Sequence, residues 1–277
     1  MPITILPSTG AFIGRVNGRD HRPLLSVIDT ITAEAYEFMM YESFYGREDA
    51  VLSDFLATGL SFPVLHVEKR IGELIADPTA DPEEPYRRFR VNCEAAVRLG
   101  AGKLVLHLWN GVASDRDFAR HLAAYPRLAS IAAEYGLCLT VENVVCAVRD
   151  PLARIGELLA AYPDAALTYD TKMAAFHRQE YTVFESALHP LWQGSIRHVH
   201  LNDYAGVPGD FSRLAVLHLG EGNLDIPRIT RSLLAVGYAD TVTLECSCMC
   251  PDGSLTPEKM NASLALARHL LAEGRKE

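Results

Sequence analysis

Eight short β-rich runs recur along the chain, and longer stretches of helical periodicity lie between them. This alternation restricts the fold more than any single motif does. Parallel strands need a crossover of a dozen or more residues, and a helix is the usual crossover. The runs are Thr4–Leu6, Tyr36–Met40, Pro63–Val67, Lys103–Leu108, Leu137–Glu142, Ala166–Asp170, Ile196–Asn202 and Thr241–Cys246. Helices are predicted over Glu84–Leu99, Leu122–Tyr135, Leu152–Ala161, Ile226–Val236 and Pro257–Ala272. In the first of these, Phe89, Cys93, Ala96 and Val97 fall at the i, i+3, i+4 spacing of a helix face. Gly100, Gly136 and Gly237 stand just past helix ends, where a left-handed residue is wanted, and Pro227 falls in a first turn, where its missing N–H costs nothing.

Eight such units fit a single (β/α)8 TIM barrel, and 277 residues is close to the roughly 250 such a barrel uses. No linker or low-complexity tract interrupts the chain, so one barrel domain over 1–277 is expected. An open doubly wound sheet would want a phosphate loop after its first strand. Gly10, Gly14 and Gly18 are spaced by four, which fits neither glycine-rich motif.

Composition narrows the function. With 49% hydrophobic and 22% charged residues, the chain has the balance of a soluble globular protein. Its formal net charge of −9 disfavours a nucleic-acid partner. The short basic cluster Arg87, Arg88 and Arg90 reads as a solvated helix face. The N-terminal segment MPITILPSTG has no basic region or long apolar run, and no stretch approaches the roughly 20 apolar residues of a membrane span. A cytoplasmic protein that does not engage a membrane is expected, with its six cysteines as reduced thiols. A homo-oligomer is compatible with the sequence.

The chemistry-bearing residues stand at the ends of the runs. The fifth ends on Glu142, the sixth on Asp170, the seventh carries His200 and the eighth Glu245. The third and fourth add His66 and His107. Side chains alternate along a strand, so Val64, Val105, Thr140, Thr168, His198 and Thr243 share the face of these residues. They are small, β-branched or polar, as a crowded barrel interior prefers. The intervening Leu65, Leu106, Val141, Tyr169, Val199 and Leu244 are apolar and face the helices. Glu142, Asp170, His200 and Glu245 are therefore expected to converge at the C-terminal mouth, where barrel active sites lie. Three carboxylates in one buried place need a cation, and one imidazole with carboxylates suits one Mn²⁺, Mg²⁺, Co²⁺ or Zn²⁺ ion. For each residue alone a plainer reading stands beside this one. Asp170 is also placed to cap a helix, and His198, one layer deeper, reads as a satisfied core histidine.

The segments LTVEN, HVHLND and HLGEGNLD, with the strands ending in Asp170 and Glu245, resemble the xylose isomerase-like barrel superfamily from about residue 60 onward. That group includes sugar phosphate isomerases and epimerases, hydroxypyruvate isomerases, inosose dehydratases and endonuclease IV. The resemblance implies that Glu142, Asp170, His200 and Glu245 hold one metal and that the two glutamates move protons. In the endonuclease IV branch, His66, His107 and His218 resemble ligands of further ions. There Met173 stands where a third zinc wants histidine, and Val216 where it wants aspartate, with His177 a displaced substitute within a helix. Met173 also replaces a histidine that contacts substrate in the sugar branch.

The expected activity is a metal-dependent isomerase or epimerase of a small sugar or sugar phosphate, with Glu142 and Glu245 as base and acid. His66, His107, Trp109 and His218 would bind substrate or a second ion. Trp109 has two readings, stacking on a sugar face or packing under a loop. Lys172 and Arg178 read as a solvated face, with an anion subsite as the rarer option. The alternatives are a phosphodiester hydrolase using paired metals at His66, His107 and Glu142, a dehydratase of a cyclic polyol ketone, and a barrel that only binds. Cys246, Cys248 and Cys250 lack a second cluster for structural zinc and read as ordinary thiols.

Overall fold

The computed structural model describes residues 3–274, so the first two residues of the MPITILPSTG segment lie outside the described residues. The strands are β1 Thr4–Pro7, β2 Ala35–Met39, β3 Ser61–His66, β4 Lys103–Leu106, β5 Cys138–Glu142, β6 Ala166–Asp170, β7 Ile196–His200 and β8 Thr241–Leu244. Among the described residues the α-helices between and after them are α1 Arg22–Leu25, α2 Glu48–Leu56, α3 Arg70–Ala76, α4 Glu84–Leu99, α5 Phe118–Glu134, α6 Pro151–Ala161, α7 Thr171–Phe176, α8 His189–Gly194, α9 Ile226–Ala235 and α10 Pro257–Glu273. The sheet order is β1-β8-β7-β6-β5-β4-β3-β2, that of a (β/α)8 barrel. Two compact units divide the chain, residues 37–168 and the remainder, with boundaries inside β2 and β6.

In the 37–168 unit, β3, β4 and β5 pair in parallel, with Val105 opposite both His66 and Thr140. Helix α4 buries Phe89, Cys93, Ala96 and Leu99 and stops at Gly100, which takes φ 74°. Helix α5 begins four residues earlier than the sequence suggests, at Phe118, and runs through Pro126. Arg88 is no solvated residue. It bonds Glu84 at 2.8 Å and Glu42 at 3.0 Å, and meets Glu68 at 3.4 Å. Arg87, Arg90 and Arg127 lie further out, each paired with a carboxylate.

In the other unit, β1 pairs with β8 and β8 with β7. Asp225 caps α9 by accepting from the Arg228 N–H at 2.9 Å, and Pro227 sits in that first turn. The inward alternation gives a polar layer. His198 Nδ1 lies 2.7 Å from the Thr241 hydroxyl and its Nε2 3.2 Å from that of Thr243. In the 37–168 unit the hydroxyls of Thr140 and Thr168 meet at 2.6 Å, and Thr140 donates to the Leu104 carbonyl at 2.7 Å. Tyr169, on the outward face, packs edge-on against Phe184 and Trp192 and donates to the Glu180 carbonyl.

Candidate metal centre

The first cluster is built by the ends of β6, β7 and β8. Asp170 is the last residue of β6, His200 the last of β7, and Glu245 follows β8 directly. Asp170 and His200 are completely buried, and the Glu245 side chain is 9% exposed. His200 Nδ1 lies 3.7 Å from Asp170 Oδ2 and 3.4 Å from Glu245 Oε2. One potential ligand atom from each of the three falls within 4.8 Å of the others. Two carboxylates and an imidazole, so close and so buried, have the donor chemistry of a divalent-ion site.

Asp170 caps a helix and also faces the cluster. Its Oδ1 caps α7 by accepting from the Met173 N–H at 2.8 Å, while Oδ2 faces the cluster. Sequence reading missed the residue that aligns the acids. Asn202 donates through Nδ2 to Asp170 Oδ2 at 2.8 Å and to Glu245 Oε2 at 3.1 Å. Its Oδ1 accepts from the Glu245 backbone N–H at 3.1 Å, which fixes the amide orientation because that N–H can only donate. Such partners tune the first ring of ligands. Its neighbour Asp203 accepts from four backbone N–H groups, of Tyr204, Gly220, Gly222 and Leu224, and thereby folds the LGEG turn.

The second cluster belongs to the 37–168 unit. His66 ends β3, His107 follows β4 and Glu142 ends β5, all buried. Glu142 Oε2 lies 2.8 Å from His107 Nε2 and 3.4 Å from His66 Nε2. Both tautomers can be deduced. His66 Nδ1 faces the Val67 carbonyl at 2.9 Å and must donate to it. His107 Nδ1 faces Asn110 Oδ1 at 3.0 Å, and Asn110 Nδ2 donates to Glu73 at 2.7 Å, so the amide is oriented and His107 Nδ1 also carries the hydrogen. Each Nε2 thus faces a carboxylate oxygen, an arrangement a cation relieves. Burial pushes the His107 imidazole below its ordinary value and outweighs the opposite pull of Glu142, so the ligand-competent neutral form is favoured.

Helix α3 reaches this cluster through Gly72. A Cβ there would stand 2.4 Å from the His107 carbonyl oxygen. Gly72→Ala is expected to cost about 1–3 kcal/mol through displacement of that strand end, and thermal denaturation checks it.

Other candidates are placed differently. Trp109 is wholly buried, donates to the Val144 carbonyl at 3.0 Å and meets Phe118 edge-on, so it packs under the loop and has no face open to a sugar. His218 donates through Nε2 to the Ser247 carbonyl at 3.0 Å and takes Ser263 at Nδ1, which commits both ring nitrogens to protein partners. His177 lies just past α7 as its C-cap, not within it. Arg178 is exposed, whereas Lys172 is buried rather than on a solvated face. Cys246 and Cys248 are buried, and burial pushes the Cys246 thiol up to about 12, which leaves it unreactive. Glu37, completely buried in β2, carried no signal in the sequence beyond its place in a strand.

A model of the xylose isomerase-like TIM barrel family matches residues 33–269. The chain belongs to this xylose isomerase-like family. No curated protein matches it. Among solved structures, this family member superposes on an L-ribulose 3-epimerase with TM-score 0.69 and 16% identity, over 100% of this chain and 96% of that one. It superposes on a D-allulose 3-epimerase from Methylomonas sp. with TM-score 0.70 and 16% identity, over 97% of each. A xylose isomerase domain protein from Alicyclobacillus acidocaldarius gives 0.69 and 18%, over 98% and 100%. At these identities the likeness establishes the fold. No helix among the described residues is long and apolar enough to cross a membrane.

Proposed function

We propose that this chain is a divalent-metal-dependent isomerase or epimerase of a small hydroxy-ketone or hydroxy-aldehyde of the sugar class. The observation that carries this reading is the buried convergence of Asp170, His200 and Glu245, aligned by Asn202. Glu142 is proposed as the fourth ligand, because β5, β6, β7 and β8 are consecutive in the sheet and each brings its residue at its C-terminal end. The solved epimerases of the same fold, one in complex with D-allulose, support the reaction class.

When bound, the ion supplies a Lewis acid for the negative charge that builds on substrate oxygens as a neighbouring C–H proton leaves. The protein's own part is proton movement and positioning. One of Glu142 and Glu245 takes the proton from carbon, and the other returns one to the opposite face or the adjacent carbon. Asn202 keeps the Glu245 carboxylate in place through both steps. The same reading has the chain act in the cytoplasm and on a free small molecule rather than nucleic acid, the latter favoured by its net charge of −9.

Glu245→Gln removes the proton acceptor while keeping size and hydrogen bonding. It is expected to lower solvent-proton exchange into substrate by about 10²–10⁴-fold with an unchanged melting curve. Retained exchange would remove Glu245 from this role. A phosphodiester hydrolase remains the second reading, favoured by the two imidazoles directed at Glu142 Oε2. Elemental analysis separates the readings. One ion per chain supports isomerisation, and two or three support hydrolysis.

A further inference from the structure

Along a strand in a parallel sheet, alternate residues turn their N–H and C=O toward opposite neighbours. Just past the end of β7, the Leu201 N–H donates to the Thr243 carbonyl at 2.9 Å, on the β8 side. Asn202 therefore turns its own N–H and C=O toward β6. The main chain there has already left the sheet, because Asp170 ends β6 and Thr171 begins α7. The Thr171 hydroxyl stands in for the strand. It donates to the Asn202 carbonyl at 2.6 Å and accepts from the Asn202 N–H at 2.9 Å. Its single hydrogen goes to Asn202 rather than to the His200 carbonyl, which lies farther off at 3.4 Å. Thr171 and Asn202 are both completely buried, so these two backbone groups depend on that one hydroxyl.

Holding the N–H and the C=O of Asn202 fixes the direction in which its side chain leaves the backbone. The amide then gives its hydrogens to Asp170 Oδ2 and Glu245 Oε2, and its oxygen takes the Glu245 N–H. A ring of contacts closes, since Thr171 is also the covalent neighbour of Asp170. Asp170 turns only Oδ2 toward the cluster, because Oδ1 caps α7. We propose that Thr171 is a positioning residue of the metal centre, whose hydroxyl sets the spacing of Asp170 and Glu245 by locking Asn202. This rests on the reading of Asp170, His200 and Glu245 as ligands of one divalent ion. A spacing held in this way suits a small ion. It opposes Ca²⁺, which takes more oxygens at longer distances and often two from one carboxylate.

The test is competition titration of Mn²⁺, and separately of Ca²⁺, against a chromophoric chelator, with melting curves on the same samples. Thr171→Val keeps the shape and loses the hydroxyl. It should bind Mn²⁺ about tenfold more weakly and narrow the preference for Mn²⁺ over Ca²⁺. Thr171→Ser keeps the hydroxyl and loses a buried methyl. It should melt lower than wild type yet hold Mn²⁺ as wild type does. With Asn202→Leu there is no amide left to position, so adding Thr171→Val should change Mn²⁺ affinity little.

The proposal is overturned if Thr171→Val binds Mn²⁺ as wild type does, or if Thr171→Ser shares its loss. It is also overturned if the loss is as large in the Asn202→Leu background. Affinity that follows melting temperature across the set, instead of the hydroxyl, gives Thr171 a packing role and overturns it as well. Should Thr171→Val not fold, Thr171→Ala removes the same hydroxyl and is judged by the same outcomes. Wild type keeps the two readings apart. If it binds neither ion, the metal-centre reading fails and this proposal with it. If it binds Mn²⁺ and loss of the hydroxyl changes nothing, this proposal alone fails.

Discussion

Alanine at His200 is expected to leave the chain folded and unable to retain a divalent ion. The imidazole is completely buried, with Nδ1 between Asp170 Oδ2 and Glu245 Oε2. Its removal takes away the nitrogen ligand and leaves the two carboxylates with a gap where the third donor of the ion stood. Affinity should fall by more than about 100-fold. Asn202→Leu, which removes only the aligning amide, should cost about 10–100-fold. Competition titration against a chromophoric chelator measures both. If Asn202→Leu proved the more damaging, or His200→Ala retained its ion, His200 would not belong to the centre.

A comparably large effect on stability is expected at Asp115. This completely buried carboxylate accepts from the backbone N–H groups of Ala147, Val148 and Arg149 and from Arg154 Nε at 2.7 Å. It therefore fastens the segment after β5, which follows Glu142. Asp115→Ala leaves the Arg154 guanidinium without this partner and three amides without theirs. A loss of about 3–5 kcal/mol is expected in urea denaturation. Burial raises the Asp115 pKa, but Arg154 and the three amides outweigh it, so the group is held below its ordinary value. A depressed carboxylate contributes stability above its unfolded pKa, roughly 3.9, and loses it as pH falls through the folded value. Wild type should thus lose its advantage over Asp115→Ala in acid, below about pH 4. A gap between the two proteins that does not narrow there would contradict this role.

Much of the architecture was readable because strand and helix periods differ and because glycine and proline mark the ends. Strand Ala166–Asp170 and helix Glu84–Leu99 came out with their observed bounds. Helices α3 and α7 were missed for a physical reason. Each has only six or seven residues, and α7 is buried on every side, so no polar face betrays its period. Asp170, His200 and Glu245 could be found because a charged or metal-competent residue after an apolar strand is conspicuous. Asn202 could not, since asparagine after a strand looks like any turn residue. The burial of Lys172 depends on how α7 docks, and no local pattern records that. Trp109 left two readings open, and the packing of the loop over it decides the matter.

The polar layer under the strand ends has a consequence for assembly. Parallel strands that are apolar on both sides carry little information about how they should slide past one another. Here Thr140 against Thr168, and His198 between Thr241 and Thr243, work like a pawl in a ratchet. A slip of one residue would turn these hydroxyls toward the outer helices and push Leu139, Leu167 and Val242 into their place. Within each unit, these polar contacts thereby keep the acids at the ends of the same strands in step.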